Sequence, residues 1–306
     1  MTRLRDAIGV GFREWRTVAL LLFANWLVAV LMVGPTVPVL AGAFGHAPLA
    51  VGKPLLSTQL LLGLGSVFAN GGAPPSVLAP LLLAVVLQLL LVGGVVWRVC
   101  ADGPFHLGAF LGQSGRLVGR NTRLYLWLLV FLGAALLVPI GLAALLHALG
   151  LPTVFTGTGE AWLFGRPFTV VSVLHLVVFV LALALWRLSL DVGRVLLFRD
   201  DLRVTRAAAW RAVKLVVRAP SSVALYAVLG GLGTLAVLLL VRGRAMLPEG
   251  TTGLALLALG MGQIVVWTRL AFQVAGTRFA ASLVESTAVP QPVEHLTESA
   301  AVSRTG

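Results

Sequence analysis

The chain of 306 residues is 58% hydrophobic and only 11% charged, and its mean hydropathy is +0.98. Soluble domains carry about 25% charged residues, so this composition excludes a soluble enzyme, a disordered chain and a nucleic-acid-binding module. The apolar residues occur in runs of about twenty, the length that crosses a bilayer as a helix. The sequence therefore predicts an all-α, polytopic integral membrane protein.

The chain opens with an amphipathic stretch in which Leu4, Ile8, Phe12 and Trp15 recur at helical spacing, flanked by arginines. Such a segment is expected to lie flat among lipid headgroups. Six predicted spans follow as one transmembrane domain over 1–286, at 17–40, 77–97, 124–147, 168–188, 221–241 and 253–268. The fifteen apolar residues at 54–68 rise only about 22 Å as a helix, which favours an interfacial or re-entrant piece.

Two further segments are interpreted from their composition. Ala41-Gly42-Ala43 has the small-residue pattern of a signal-peptide cleavage site, but the apolar stretch before it exceeds the 7–15 residues of a signal peptide's apolar region. We therefore expect an uncleaved first span. The segment 287–306 is mostly polar and contains Pro290 and Pro292, so it is predicted to be a disordered tail.

Basic residues are distributed unequally between the two sides of the predicted spans. Of 23 lysines and arginines, 19 fall on the side that holds both termini and four fall on the other side, namely Lys53, Arg166, Arg242 and Arg244. Loops rich in lysine and arginine stay in the cytoplasm. Both termini are therefore predicted to be cytoplasmic, and the net charge of +12 is interpreted as an orientation signal rather than as a nucleic-acid surface.

A threefold pattern is visible at the predicted cytoplasmic ends. Trp97-Arg98, Trp186-Arg187 and Trp267-Thr268-Arg269 end the even-numbered spans, and Trp15-Arg16 precedes the first. One interpretation is three consecutive units of surface helix, span, outer loop and span. The other is the ordinary enrichment of tryptophan and arginine at membrane interfaces.

The second cytoplasmic segment, 104–123, is predicted to be an amphipathic helix with Asp102 as its N-cap. Gly108, Gly112, Gly115 and Gly119 form one narrow stripe along it. A stripe of small residues is typical of close packing against another helix. A partly glycine-rich loop is the alternative.

The third cytoplasmic segment, 191–218, is predicted to be one basic amphipathic helix. Asp191 at its start follows Arg187 by four residues, so the two side chains can pair on the helix surface. Its basic stripe comprises Arg199, Arg203, Arg206, Lys214 and Arg218, with Trp210 among them. These six residues are candidate contacts for anionic lipid or for a protein partner, since each basic group near an anionic leaflet contributes about 1 kcal/mol. Orientation charges on a solvated loop are the alternative.

The predicted spans contain few polar groups that suit transport or catalysis. The deeper polar side chains are those of Asn25, Gln88, His175 and Gln263. We favour hydrogen bonds between helices for all four, ahead of a proton relay or ligand at His175. The single Cys100, the scattered histidines and the surface pair Asp200-Asp201 give no metal cluster or paired-carboxylate site, so we expect no cofactor and no enzyme activity.

Three short features together resemble a known group of proteins. They are Asp191-Val-Gly-Arg194, the arginine- and alanine-rich stretch through Asp200-Asp201, and Arg218-Ala219-Pro220. The sequence resembles a broad group of uncharacterised bacterial six-span proteins, which are similar to the membrane domain accompanying some glycerophosphoryl diester phosphodiesterases. Six spans leave no room in these 306 residues for the catalytic domain, so the resemblance implies an inner-membrane helical protein and carries no catalytic residue across.

Three functions are therefore open. The first is a non-enzymatic scaffold or accessory protein of the bacterial cytoplasmic membrane, contacting anionic lipid or a partner. The second is a permease or export subunit in which segment 191–218 docks a soluble ATPase, although Ala207-Ala208-Ala209 is a poor substitute for the coupling motif of bacterial importers. The third is an intramembrane lipid enzyme, for which few suitable residues are present.

Overall fold

A computed structural model describes residues 2–28, 75–101, 104–150, 170–202, 204–246 and 252–287. Within these ranges the fold is all-helical and comprises eight helices. They are α1 (Thr2–Arg13), α2 (Trp15–Val28), α3 (Pro75–Cys100), α4 (Leu107–Ala148), α5 (Val170–Arg199), α6 (Thr205–Val217), α7 (Pro220–Ala245) and α8 (Thr252–Thr287).

Several of these helices can cross a membrane. Among the described residues, Leu107–Ala148, Val173–Arg199 and Pro220–Gly243 are long and apolar enough to do so, and Trp15–Val28 and Val85–Cys100 are shorter apolar helices. Each predicted span overlaps one helix, which confirms the all-α class over the described residues and gives helices that are long and apolar enough to cross a membrane. The predictions for 29–40, for the run at 54–68, for the Ala41-Gly42-Ala43 site and for the tail beyond Thr287 lie outside the described residues.

The helices continue past the ends that hydropathy predicts. The second span was predicted to end at Trp97, the fourth at 188 and the sixth at 268, whereas α3, α5 and α8 end at Cys100, Arg199 and Thr287. A helix satisfies its own backbone hydrogen bonds, so a change from apolar to basic side chains does not end it. The predicted boundaries therefore mark a change in polarity along continuous helices.

The predicted separate helix at 104–123 is wrong, because α4 runs unbroken from Leu107 to Ala148. Its N-cap is His106, which forms no side-chain capping bond, and Asp102 lies outside the described residues. The four-glycine stripe is helical, yet a Cβ built on any of the four would meet nothing within 4 Å. Neither expected explanation holds: the segment is not a loop, and no described helix packs on its glycines.

The predicted continuous helix at 191–218 is also wrong. Residues 191–197 are the buried last part of α5, and the chain leaves helical geometry after Arg199 before α6 begins at Thr205. Asp201 has a φ of 42°, a left-handed conformation that aspartate tolerates better than most residues. The pair Asp200-Asp201 therefore forms a turn and not part of a surface helix.

Helices α5 and α8 lie centrally: α5 contacts α3, α4, α6, α7 and α8, and α8 also contacts α1, α3 and α7, while α4 also contacts α3 and α6. Glycines permit two of these close approaches. A Cβ on Gly11 would lie 2.5 Å from the Ala271 backbone oxygen, and a Cβ on Gly94 would lie 2.5 Å from the Phe110 ring. Real side chains do not come this close, so both helix pairs depend on glycine.

Helix α1 confirms the predicted amphipathic helix, and part of the predicted face makes its contact: Leu4 and Ile8 are half-buried against the core. Ala7 and Gly11 are buried against α8, whereas Phe12, and Trp15 at the start of α2, remain exposed. The Phe12 ring still lies 5.3 Å from that of Trp267. Small residues occupy the contact because they let two helix backbones approach closely, while the large rings remain at its margin.

The threefold pattern is only partly repeated in the helices. Glu14 separates α1 from α2, and Arg218-Ala219 separates α6 from α7, but no break divides α4. Arg98 and Arg187 also have different partners, Glu14 and Asp191 respectively. The second unit thus lacks the separate surface helix that the pattern predicts.

Candidate functional site

The exposed side of α6 carries four of the six residues predicted to contact lipid or a partner. Arg206, Trp210, Lys214 and Arg218 are spaced four apart, so they share one side of the helix, and all are exposed. Trp210 is 70% exposed. The opposite side is buried and consists of small and apolar residues: Ala208, Ala209, Ala212 and Val216. We call the four exposed residues the α6 stripe.

The other two predicted residues are separated from the α6 stripe by the turn after α5. Arg199 is the exposed last residue of α5, and Arg203 lies outside the described residues. The basic surface is therefore formed by two helices, with α6 providing its ordered row.

Acidic side chains near the turn already have basic partners. Asp201 Oδ1 accepts hydrogen bonds from Arg120 Nη1 at 2.6 Å and from Arg116 Nη2 at 3.2 Å. Arg211 Nη1 lies 3.9 Å from Asp200 Oδ2. These contacts join the turn to α4 and α6.

The cations of the α6 stripe are uncompensated within the described part of the chain. Arg206, Lys214 and Arg218 form no ion pair with any described residue, and neither does Arg199. The stripe therefore presents three positive charges beside an exposed indole. This combination is typical of helices that lie at an anionic membrane surface.

An apolar groove with a volume of about 640 Å³ lies between α4 and α6. Its α4 wall includes Trp127, Phe131 and Ala134, and its α6 wall includes Val204, Arg206, Ala207 and Trp210. Arg206 is the one charged residue among the described residues that line it. The groove thus adjoins the α6 stripe, and Arg206 and Trp210 belong to both.

A buried polar cluster joins α5 to α7 at the end of α5 where the basic residues lie. Asp191, only 1% exposed, accepts a hydrogen bond from the Tyr226 hydroxyl at Oδ2 (2.6 Å) and from Arg194 Nη1 at Oδ1 (2.9 Å). Arg187 Nε lies 3.6 Å from Oδ2, which confirms the predicted pair. Arg194 Nε has no partner among the described residues. The cluster holds two cations and one carboxylate.

The predicted intramembrane polar residues differ in their contacts. His175 is fully buried, and its Nε2 lies 3.0 Å from the Pro139 carbonyl oxygen of α4. A carbonyl only accepts hydrogen bonds, so Nε2 donates here, and the expected hydrogen bond between helices is confirmed. Gln88 Nε2 donates to Asn25 Oδ1 at 3.5 Å, joining α3 to α2. Gln263 is half-buried in α8 and has no described hydrogen-bond partner.

The contacts not predicted from the sequence include an ion pair between Arg98 and Glu14 and the hydrogen bond from Tyr226 to Asp191. Arg98 Nε and Nη2 bind both Glu14 carboxylate oxygens at 2.7 Å, which fixes the α1–α2 junction against α3. Glu14 precedes Trp15-Arg16. An acidic residue among so many basic ones is the sequence feature from which an ion pair could have been predicted. Tyr226 gave no such signal, because its pairing with Asp191 depends on the packing of α5 against α7.

Comparison with known proteins gives no relative of this chain. No protein-family model matches it, and no curated protein or solved structure matches it. Over the described residues there is also no group of three or more His, Cys, Asp or Glu that could hold a metal ion. The resemblance to a phosphodiesterase-associated membrane domain consequently stays a prediction.

Proposed function

We propose that this chain is a non-enzymatic scaffold or accessory protein of the bacterial cytoplasmic membrane, with six spans and both termini in the cytoplasm. We further propose that its cytoplasmic face binds anionic phospholipid headgroups through the α6 stripe. The observation that supports this function is the row of three exposed cations that have no acidic partner among the described residues.

Position and charge support the same assignment. Helix α6 precedes α7, whose predicted span begins at 221, and buries its apolar side against the bundle. Its basic side then faces the headgroups of the inner leaflet, where each cation contributes about 1 kcal/mol. Three cations give about 3 kcal/mol, or about a hundredfold preference for anionic over zwitterionic lipid, which weakens as salt screens the charges.

The experiment is native mass spectrometry of the protein in a mild detergent, titrated with phosphatidylglycerol or phosphatidylcholine. The test variant replaces the three stripe cations: Arg206→Gln, Lys214→Gln and Arg218→Gln. The matched control removes three charges from the predicted outer side: Lys53→Gln, Arg242→Gln and Arg244→Gln. We expect the test variant to lose about a hundredfold in preference for phosphatidylglycerol and the control to keep it.

Two results overturn the proposal. One is an unchanged lipid preference in the test variant. The other is a second protein bound in fixed ratio through the stripe, which favours a permease or export subunit instead. Orientation is tested separately with a reporter that is active only in the cytoplasm, fused after Gly306; an inactive reporter there would contradict the predicted topology.

A further inference from the structure

The groove between α4 and α6 is apolar and adjoins the α6 stripe. We propose that it binds one acyl chain of an anionic phospholipid and that Arg206 holds the phosphate of the same molecule. This inference rests on the proposed function, because it assigns a defined position to one of the lipids that the α6 stripe attracts.

The groove has the size and chemistry of a site for a flexible apolar ligand. Its volume of about 640 Å³ lies within the range of about 300–1,000 Å³ that is usual for small-molecule sites. Both walls are apolar apart from Arg206 and the two indoles, Trp127 and Trp210. A hydrocarbon chain fits such walls, because it leaves no polar group without a partner.

The depth of the groove matches the boundary between headgroups and acyl chains. Its α4 wall runs from Trp127 to Ala134, and the third predicted span starts at 124, on the cytoplasmic side. A chain in the groove therefore begins near the headgroups and follows α4 into the hydrocarbon. Exposed tryptophans at this level are typical of membrane interfaces.

Arg206 distinguishes this site from ordinary contact with bulk lipid. It lies in the first turn of α6, lines the groove, and forms no ion pair with a described residue. A guanidinium binds phosphate oxygens through two parallel hydrogen bonds. The positive charge of Arg206 thus lies beside apolar surface, which matches the phosphate and the acyl chain of one phospholipid molecule.

The experiment uses the same titration and separates the chain from the headgroup. Ala134→Phe fills the groove from an exposed position, and Ala144→Phe, exposed on the same helix outside the groove, is its matched control. We expect Ala134→Phe to bind one phospholipid fewer per chain than Ala144→Phe, both with phosphatidylglycerol and with phosphatidylcholine, because the α6 stripe is left intact. Arg206→Gln should lower the affinity for phosphatidylglycerol about fivefold (about 1 kcal/mol) and that for phosphatidylcholine by a smaller factor, because the choline cation offsets the charge of the same phosphate.

Each outcome bears on one proposal or on both. If Ala134→Phe and Ala144→Phe bind lipid equally while the triple variant of the α6 stripe loses its preference, the groove inference is wrong and the proposed function stands. If neither set of variants changes lipid binding, both are wrong. A change in the number of subunits with Ala134→Phe would show that a second copy occupies the groove and would also overturn the inference.

Discussion

Replacing Asp191 by asparagine removes a buried charge while nearly preserving the side-chain volume. It leaves Arg194, 5% exposed, without the carboxylate that its Nη1 contacts at 2.9 Å. Breaking a buried ion pair from one side costs about 3–5 kcal/mol in soluble proteins, whereas hydrogen bonds between membrane helices contribute at most about 1.7 kcal/mol. We expect about 3 kcal/mol, because the orphaned group here is a full charge.

The double variant Asp191→Asn/Arg194→Gln tests the reason for this cost. It removes both charges, so no buried ion is left without a partner, and it should be more stable than the sum of the two single variants predicts. We expect a coupling energy of at least about 1.5 kcal/mol, measured by unfolding in mixed micelles of mild detergent and dodecyl sulfate, followed by circular dichroism.

Arg187→Gln is the matched control for Arg194→Gln, because it makes the same chemical change at an arginine whose contact with Asp191 is longer. The Arg187 side chain is 37% exposed and lies 3.6 Å from Asp191, so its loss should cost under about 1 kcal/mol. Two results would refute this reasoning: additivity of the Asp191 and Arg194 variants within about 0.5 kcal/mol, or an equal cost for the two arginines.

Three further predictions concern packing, thiol chemistry and the α1–α2 junction. Gly11→Ala should destabilise the protein by about 1–3 kcal/mol, because α1 must move off α8. Gly112→Ala, where the added Cβ meets nothing, should stabilise it by up to about 1 kcal/mol. The same unfolding assay checks both, and a change of the same sign in the two variants would contradict the packing. Burial, the largest cause, raises the pKa of Cys100 to about 11, so at pH 8 about 0.1% is thiolate. Maleimide labelling should then be over a hundredfold slower in the native than in the unfolded protein, and equal rates would disprove the burial. Glu14→Gln should cost about 1.5–3 kcal/mol through lost bonds to Arg98, and an unchanged unfolding midpoint would show that the pair is not formed.

The helical class was predictable because runs of about twenty apolar residues admit one structure in a bilayer. The pair Arg187–Asp191 was predictable too, since a spacing of four puts both side chains on one face of any helix. The exposed row Arg206, Trp210 and Lys214 follows from the same periodicity. These features depend on contacts within a single helix.

The features that were missed depend on contacts between helices. Nothing local indicates that Tyr226 meets Asp191, or that the glycines beginning at Gly108 face open space. The turn at Asp201 was missed because its neighbours continue the amphipathic pattern across it, and only its backbone conformation and its contacts with Arg116 and Arg120 reveal it.

The unbroken α4 has a mechanical consequence. Its 42 residues measure about 63 Å, twice the hydrocarbon thickness of about 30 Å, so in the proposed orientation about 25 Å of rigid rod extends on the cytoplasmic side. A tilt of about 10° at the membrane would move the far end by about 4 Å. Because Arg116 and Arg120 hold the turn before α6, the rod would carry that movement as a lever from the bilayer to the basic surface.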